Sequence, residues 1–303
     1  MASTTKSAPI VWLVAAMVAP GSRAEGPPAD RLKGRVEASI AAMGAGVTVA
    51  VAFRDLATGQ GFSIGGDRPM HPASTMKLPV MMEVYRQAGA GRLGLDDRLR
   101  VRNEFASIAD GSPFALDPKD DSELTLYGRV GGEATVRELV RLMIAESSNL
   151  AANLLIERVS AASTTEFARA LGAEGVAVLR GVEDGKAYAK GMNNVATARG
   201  LATLLEALAE GRAVSAPASA EMLGVLRDQK FREGIPAGLP PGTPVAHKTG
   251  SIRAVYHDAA VVEPPGRKPF VLVVLTRGID DESAAHKLVA DIARAAFEHA
   301  WGR

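Results

Sequence analysis

The distribution of strand-like and helix-like segments limits this chain to a small set of architectures. Val47 to Phe53 is a β-branched run, and Gly61 to Ile64 is typical of the returning arm of a hairpin. Near the other end of the chain, segments 245–252, 258–263 and 270–277 show the period of strands. The residues between these two groups have mainly helical spacing. The economical arrangement is a single antiparallel sheet built from both chain ends.

Helices account for most of the remaining chain. Segments 31–43 and 283–301 have helical spacing and are expected to cover the sheet. The predicted fold class is therefore α+β, with an α/β lobe at about 25–73 and 230–303 and an inserted all-helical lobe at about 74–229. The seam between two lobes is the default place for a ligand cleft. Within the helical lobe we predict helices over 136–145, 149–159, 165–171, 196–209 and 218–228.

Residues 103–133 lack a regular period. They are polar and rich in turn residues, such as Asp110-Gly111-Ser112-Pro113 and Gly131-Gly132. We therefore predict a long surface excursion, which ends at a capping box formed by Thr135 and Glu138.

Composition excludes several classes of partner and site. Lys plus Arg number 35 and Asp plus Glu 34, so no basic field is available for nucleic acid or an anionic membrane. We expect a small-molecule substrate instead. The absence of cysteine removes disulfides, thiolate nucleophiles and zinc–thiolate sites. The 303 residues are enough for a full core, and we expect a monomer.

The N-terminus has the pattern of an export signal. Lys6 precedes an apolar stretch, Ala8 to Ala19, that is too short to span a bilayer. Small residues at Ser22 and Ala24 flank a cleavage site. We predict a signal peptide at residues 1–24, an exported periplasmic or extracellular protein, and no stable membrane span after cleavage. The alternatives are an uncleaved anchor and a helical N-terminus.

Ser74-Thr75-Met76-Lys77 carries the first candidate chemistry. A serine before an apolar run marks a helix start, and a lysine three residues on shares its helix face. A partly desolvated Lys77 can lose its proton near neutral pH and activate Ser74. Because this spacing is common by chance, a capped surface helix with a solvated lysine is the alternative.

Two further stretches add to this pattern. Ser147-Ser148-Asn149 lies at a predicted helix–helix junction, where a hydroxyl and an amide can relay a proton and hold a substrate amide. Lys248-Thr249-Gly250-Ser251 lies on a predicted strand and offers a cation, hydroxyls and backbone groups to a carboxylate.

The order Ser-x-x-Lys, Ser-x-Asn, Lys-Thr-Gly resembles the active-site-serine β-lactamases and penicillin-binding proteins, and the wider sequence resembles class A β-lactamases over about residues 30–300. The resemblance implies the β-lactamase/transpeptidase-like fold. It implies Ser74 as the nucleophile, Lys77 as its partner and Ser147 as a proton shuttle. Glu183, in the matching loop, would be the deacylating base.

The resemblance also implies the substrate contacts. Asn149 would contact the substrate amide, while Lys248 and Thr249 would bind its carboxylate. Gly250 and Ser251 complete this strand, and the backbone N–H groups of Ser74 and Ser251 would form the oxyanion hole. No metal and no organic cofactor are implied.

Three departures from the family pattern stand out. Ser148 occupies a position where class A enzymes usually have Asp, and residues 103–133 are longer than the family needs. In the loop that carries Glu183, Ala187 replaces an Asn that helps to hold the hydrolytic water. Asn193 or Asn194 is a candidate replacement. Alternatively, Glu183 and its neighbour Asp184 are solvated loop carboxylates.

The sequence therefore predicts a serine β-lactamase that works through an acyl-enzyme on Ser74. Either Lys77 or a water bound by Glu183 takes the proton during acylation. The enzymatic alternative is a penicillin-binding D,D-peptidase or a related esterase with slow deacylation. A third possibility, from another class, is a non-catalytic module that senses β-lactams or the cell wall.

Overall fold

A computed structural model describes residues 27–302. The predicted signal peptide, residues 1–24, lies outside the described residues. Between residues 27 and 302, no helix has the length and apolarity needed to cross a membrane.

The described residues begin and end with a helix, and six consecutive α-helices separate the earlier strands from the last three. The strands are β1 (Thr48–Asp55), β2 (Gly61–Ile64), β3 (Arg98–Arg100), β4 (Phe105–Ala106), β5 (Pro113–Phe114), β6 (Glu133–Thr135), β7 (Val245–Ile252), β8 (Val255–Val262) and β9 (Phe270–Arg277). The helices are α1 (Pro27–Ala41), α2 (Lys77–Gly89), α3 (Val136–Ala145), α4 (Asn149–Val159), α5 (Ala161–Ala170), α6 (Gly185–Ala189), α7 (Ala198–Ala209), α8 (Ala216–Arg227) and α9 (Glu282–Ala300).

The central sheet confirms the predicted α+β class. It has five antiparallel strands in the order β2-β1-β9-β8-β7, so the first and last strands of the chain are neighbours. Val51 of β1 pairs with Val274 of β9 in this register. Strand β7 lies at one edge of the sheet.

Both faces of the sheet are covered, which explains why β9 is a continuous apolar run. Alternate β9 residues Phe270, Leu272 and Val274 pack with α1 and α9, which contribute Leu32 and Ile292 among others. The intervening residues Val271, Val273 and Leu275 belong to the core shared with the central helices.

Strand β8 begins three residues before the predicted segment 258–263. The turn that precedes it has only two residues, Arg253 and Ala254, with Ala254 in the left-handed region at φ 57°. Glycine or asparagine usually fills such a position, so Arg253 and Ala254 carry no recognisable turn signal. The five-residue helix α6 was also not predicted, and α5 begins at Ala161 instead of residue 165.

The central part of the chain is mainly helical but also contains two short two-stranded sheets, β3–β6 and β4–β5. These lie around residues 103–133, which were predicted to form a surface excursion. The segment is not confined to the surface, because Asp121 and Glu123 are buried. Both carboxylates accept backbone N–H groups, which offsets the cost of their burial.

Candidate active site

Ser74 lies in a turn of 3₁₀-helix, Ala73–Met76, immediately before α2. The turn is held by Thr75, whose hydroxyl donates to the Pro72 carbonyl oxygen at 2.6 Å. Ala73 has a positive φ of 46°, a conformation that alanine rarely adopts. Ser74 is half-buried and lines a cavity of about 450 Å³.

Strand β7 approaches this turn through Gly250. A Cβ atom at Gly250 would lie 2.9 Å from the backbone nitrogen of Ser74 and 2.9 Å from that of Thr75. Only glycine permits so close an approach of two backbone segments. Thr249 and Ser251, on either side of Gly250, line the same cavity as Ser74.

Lys77, the first residue of α2, is fully buried. Its Nζ donates to the Ser147 carbonyl oxygen at 2.5 Å and to Asn149 Oδ1 at 2.7 Å, and lies 3.4 Å from Ser147 Oγ. Burial lowers the pKa of Lys77 to about 7, although the charges of Asp121 and Glu183 oppose this shift. A neutral amine is therefore well populated near neutral pH.

Lys248, on β7, reaches the same hydroxyl from the other side. Its Nζ donates to Ser147 Oγ at 3.1 Å and to the Thr249 carbonyl oxygen at 2.8 Å. Burial and the charge of Lys77 hold the pKa of Lys248 well below its usual range. Ser147 has a left-handed backbone, φ 60°, and its hydroxyl lies between two amines that can exchange protons with it.

Asn149 joins Lys77 to Glu183. Its Oδ1 accepts from Lys77, and its Nδ2 donates to Glu183 Oε1 at 3.0 Å. Glu183 is half-buried, and its Oε2 accepts from the backbone N–H of Asp117 at 3.3 Å. Burial raises the pKa of Glu183, and the charges of Asp120 and Asp121 act in the same direction.

Two asparagines hold the backbone of the loop just before Glu183. Asn153 Oδ1 accepts from the backbone N–H of Val182 at 2.6 Å, and its Nδ2 donates to the Val182 carbonyl oxygen. Asn194 is occupied in the same way, because its amide binds the backbone of Leu179 and Arg180. The side chain amide of Asn194 therefore holds the loop itself.

Of the two residues that depart from the family pattern, Ser148 caps a helix and Ala187 is buried within one. Ser148 is fully buried and accepts from the backbone N–H of Ala151 at 3.2 Å, so it is the N-cap of α4. Ala187 is buried in α6. Asp184 caps this helix and is buried, so it does not have the solvated position of the alternative interpretation.

Sequence reasoning missed part of the cavity wall, contributed by Asp120, Ser122, Phe231, Glu233, Gly234, Tyr256, His257, Asp258, Glu282, His286 and Val289. Register gives a signal for three of them, because Ser251, Gly250 and Thr249 pair with Tyr256, His257 and Asp258 on β8. An antiparallel pairing of the two predicted strands was enough to place β8 beside the Lys-Thr-Gly motif.

The histidines near the cavity have structural partners. His257 Nε2 is 2.9 Å from the His71 carbonyl oxygen, and its Nδ1 accepts from the backbone N–H of Thr276. Burial lowers the pKa of His257 to about 4, so it is neutral. His247 Nδ1 pairs with Asp258 Oδ1 at 2.9 Å. Between residues 27 and 302, no group of three such side chains is arranged to hold a metal ion.

Comparison of the sequence with those of known proteins identifies beta-lactamases as relatives. The sequence profile of the beta-lactamase enzyme family matches residues 31–300. A beta-lactamase from Kitasatospora aureofaciens is 27% identical over 264 residues, which cover 86% of this chain and 81% of the relative.

Solved structures agree with this. The crystal structure of a beta-lactamase from Sphaerobacter thermophilus has a TM-score of 0.77 and 30% identity, covering 89% of this chain and 98% of that one. A variant of PBP-A, solved as an acyl-enzyme complex with penicillin G, has a TM-score of 0.75 and 26% identity, covering 89% and 96%.

Proposed function

The chain belongs to the beta-lactamase enzyme family, and on this basis we propose that it hydrolyses the lactam amide of β-lactams through a covalent acyl-enzyme on Ser74. One observation carries the assignment of residues. Lys77 and Lys248, both buried, bind Ser147 beside a cavity that Ser74, Thr249 and Ser251 line.

Acylation begins with attack of Ser74 Oγ on the lactam carbonyl carbon. The hydroxyl proton passes to Lys77, whose pKa of about 7 leaves part of it as the free amine, or to a water held by Glu183. The backbone N–H groups of Ser74 and Ser251 stabilise the oxyanion. When the lactam C–N bond breaks, Ser147 delivers its proton to the departing nitrogen and regains one proton from Lys77, while Lys248 stays hydrogen-bonded to the Ser147 hydroxyl.

Deacylation requires a base close to the ester. Glu183 removes a proton from a water molecule, which attacks the acyl carbonyl carbon; the ester C–O bond then breaks, and the proton returns to Ser74 Oγ to regenerate its hydroxyl. The raised pKa of Glu183 makes it a better base than a solvated carboxylate, and Asn149 orients one of its oxygens. This assignment explains why asparagine side chains hold the loop backbone just before Glu183, at Arg180 and Val182.

Substrate binding uses the strand edge and the start of α4. Thr249, Gly250 and Ser251 present their hydroxyls and backbone to the substrate carboxylate, and Lys248 supports this strand from behind by donating to the Thr249 carbonyl oxygen. Asn149 contacts the substrate side-chain amide. The substrate is a small molecule bearing a carboxylate and an acyl-amide.

Acylation without rapid deacylation is the second candidate, supported by the likeness to PBP-A. A penicillin-binding D,D-peptidase uses the same first half-reaction and then holds the acyl group. The two candidates differ only in how fast water releases the ester.

Location and assembly follow from the sequence pattern. We propose that residues 1–24 are a signal peptide cleaved near Ala24, and that the enzyme works as a monomer in the periplasm or outside the cell. N-terminal sequencing of the protein recovered from expressing cells, with its mass in solution, tests both points.

The central experiment follows β-lactam turnover by absorbance and the intact protein by mass spectrometry. We expect wild type to hydrolyse a chromogenic cephalosporin, Ser74→Ala to show neither turnover nor adduct, and Glu183→Gln to accumulate the acyl-enzyme with kcat reduced at least about a thousandfold. Ser39→Ala, at a half-buried position, and Glu174→Gln, at an exposed one, both lie away from the cavity; they are controls and should retain wild-type turnover.

Three results would contradict parts of this scheme. Turnover by Ser74→Ala would exclude the serine as nucleophile. Stoichiometric, long-lived labelling of wild type would favour the D,D-peptidase. Binding that survives Ser74→Ala, with no adduct on wild type, would favour a non-catalytic sensor.

A further inference from the structure

A carboxylate from the 103–133 segment lies at the start of α4. Asp121 is only 8% exposed, and its Oδ2 accepts from the backbone N–H groups of Asn149 and Leu150, each at 2.9 Å. The Tyr127 hydroxyl donates to the same oxygen at 2.9 Å. Asp121 Oδ1 accepts from the backbone N–H of Glu123 at 3.2 Å, so both oxygens are held.

This carboxylate fixes the backbone of the residue that connects the two proton-transfer groups. The Asn149 amide reaches Lys77 Nζ at 2.7 Å on one side and Glu183 Oε1 at 3.0 Å on the other. A shift of the first residue of α4 would move both contacts at once.

Asp121 also acts through its charge. It favours the ammonium form of Lys77 and disfavours the carboxylate form of Glu183, so it raises the pKa of both. Tyr127 adds no charge, because burial and Asp121 raise the pKa of its hydroxyl far above neutrality.

The other charges in the site do not duplicate this effect. Asp120 raises the pKa of Glu183 only, and Lys248 faces Lys77 through Ser147 with its own pKa lowered. The remaining titratable groups around Asn149 are Glu183 and Lys77 themselves. Of these carboxylates other than Glu183 itself, Asp121 is the one whose charge raises the pKa of both Lys77 and Glu183.

We propose that Asp121 is a positioning residue of the β-lactamase reaction, which holds Asn149 between Lys77 and Glu183 and sets the distribution of protons between them. The inference rests on the proposed function. Nothing in the three motifs indicates it, because Asp121 lies 28 residues before Asn149 in the chain.

The test is the pH profile of kcat/KM for Asp121→Asn, which removes the charge and keeps the shape. Without the negative charge, Lys77 and Glu183 both release their protons at lower pH. We expect the acidic limb to move down by about one pH unit, whichever of the two is the acylation base. Asp121→Glu keeps the charge but displaces the oxygens, so its limb should stay in place while kcat falls about tenfold or more.

Glu123→Gln is the matched control. Glu123 is a second buried carboxylate on the same segment, 5% exposed, and it accepts the backbone N–H groups of Thr125 and Leu126 without contacting Asn149. We expect this variant to lose stability but to keep the wild-type acidic limb.

An unmoved limb in folded Asp121→Asn would overturn the proposal. If Asp121→Asn does not fold, Asp121→Glu decides, since wild-type kcat or a shifted limb in that variant would overturn it as well. Wild-type turnover and its loss in Ser74→Ala are recorded in the same assay. Failure of the proposed function is thereby distinguished from failure of this inference.

Discussion

At Gly250 two backbone segments lie so close together that no side chain fits between them. The edge of β7 lies against the Ser74 turn at a separation that leaves no room for a Cβ atom. The glycine of the Lys-Thr-Gly motif is therefore required by packing, whereas its neighbours Thr249 and Ser251 line the cavity.

We predict that Gly250→Ala lowers kcat/KM at least about tenfold and stability by about 1–3 kcal/mol, because the turn that carries Ser74 must move. Gly224→Ala, in α8, is the control, since a Cβ there meets nothing within 4 Å. It should stabilise the protein by about 0.5–1 kcal/mol with unchanged activity. Kinetics and thermal unfolding of both variants check this, and equal behaviour of the two would refute the packing argument.

At this scale the sequence predicted the motif residues but not those that support them. Ser74 and Lys77 were predicted because they lie three positions apart, and Ser147 because it lies two positions before Asn149. Asp121 and Asn153 were not found, because their partners at positions 149 and 182 are reached only through the path of the folded chain. A carboxylate in a polar, turn-rich segment is most simply assigned to solvent.

At the scale of elements, Asp184 connects the loop that carries Glu183 to the 103–133 segment. Its Oδ1 accepts from the Ser107 hydroxyl at 2.7 Å and its Oδ2 from the Ile108 N–H at 2.9 Å, while it also caps α6. Burial alone would raise the pKa of Asp184, but the hydrogen bonds from Ala187, Ser107 and Ile108 lower it. The two segments are therefore held together by an ionised group.

The pH dependence of stability follows from that lowered pKa. Because the folded pKa lies below the unfolded one, the carboxylate stabilises the fold above the unfolded pKa and ceases to do so as pH falls through the folded value. We predict that Asp184→Asn lowers the free energy of unfolding by about 1–3 kcal/mol at pH 7, and that the difference from wild type shrinks below about pH 4.

Urea unfolding at pH 7 and at acidic pH measures this difference. Asp67→Asn is the control, because Asp67 is 75% exposed and pairs only with Arg199 at the surface. A difference for Asp184→Asn that persists unchanged at acidic pH would exclude the charged form as its source.

The limits of the strands were predicted more accurately than those of the turns and short helices that connect them. Segments 245–252 and 270–277 coincide with β7 and β9, and the second is a buried apolar run that leaves few alternatives. The start of β8 and the helix α6 were missed, because their limits depend on an alanine in the left-handed region and on the cap supplied by Asp184. Boundaries of this kind are set by tertiary contacts.

Across the whole molecule, opposite charges are nearly balanced, with a formal net charge of +1. Such a protein exerts little long-range attraction on an anionic substrate. We predict that kcat/KM for a dianionic cephalosporin changes less than about threefold between about 0.05 and about 0.5 M salt. A zwitterionic cephalosporin provides the comparison, and a steep salt dependence for the dianion alone would indicate a local field that the net charge conceals.

The pairing of β1 with β9 has a consequence for the order of events during synthesis. Strand β1 has β2 on one side, but its other partner is the last strand to be made. Residues 270–277 must therefore leave the ribosome before the sheet can form. Nearly the entire polypeptide is synthesised before β9, the middle strand of the sheet, is available. A C-terminal truncation that removes β9 would leave both hydrophobic layers without their shared middle strand.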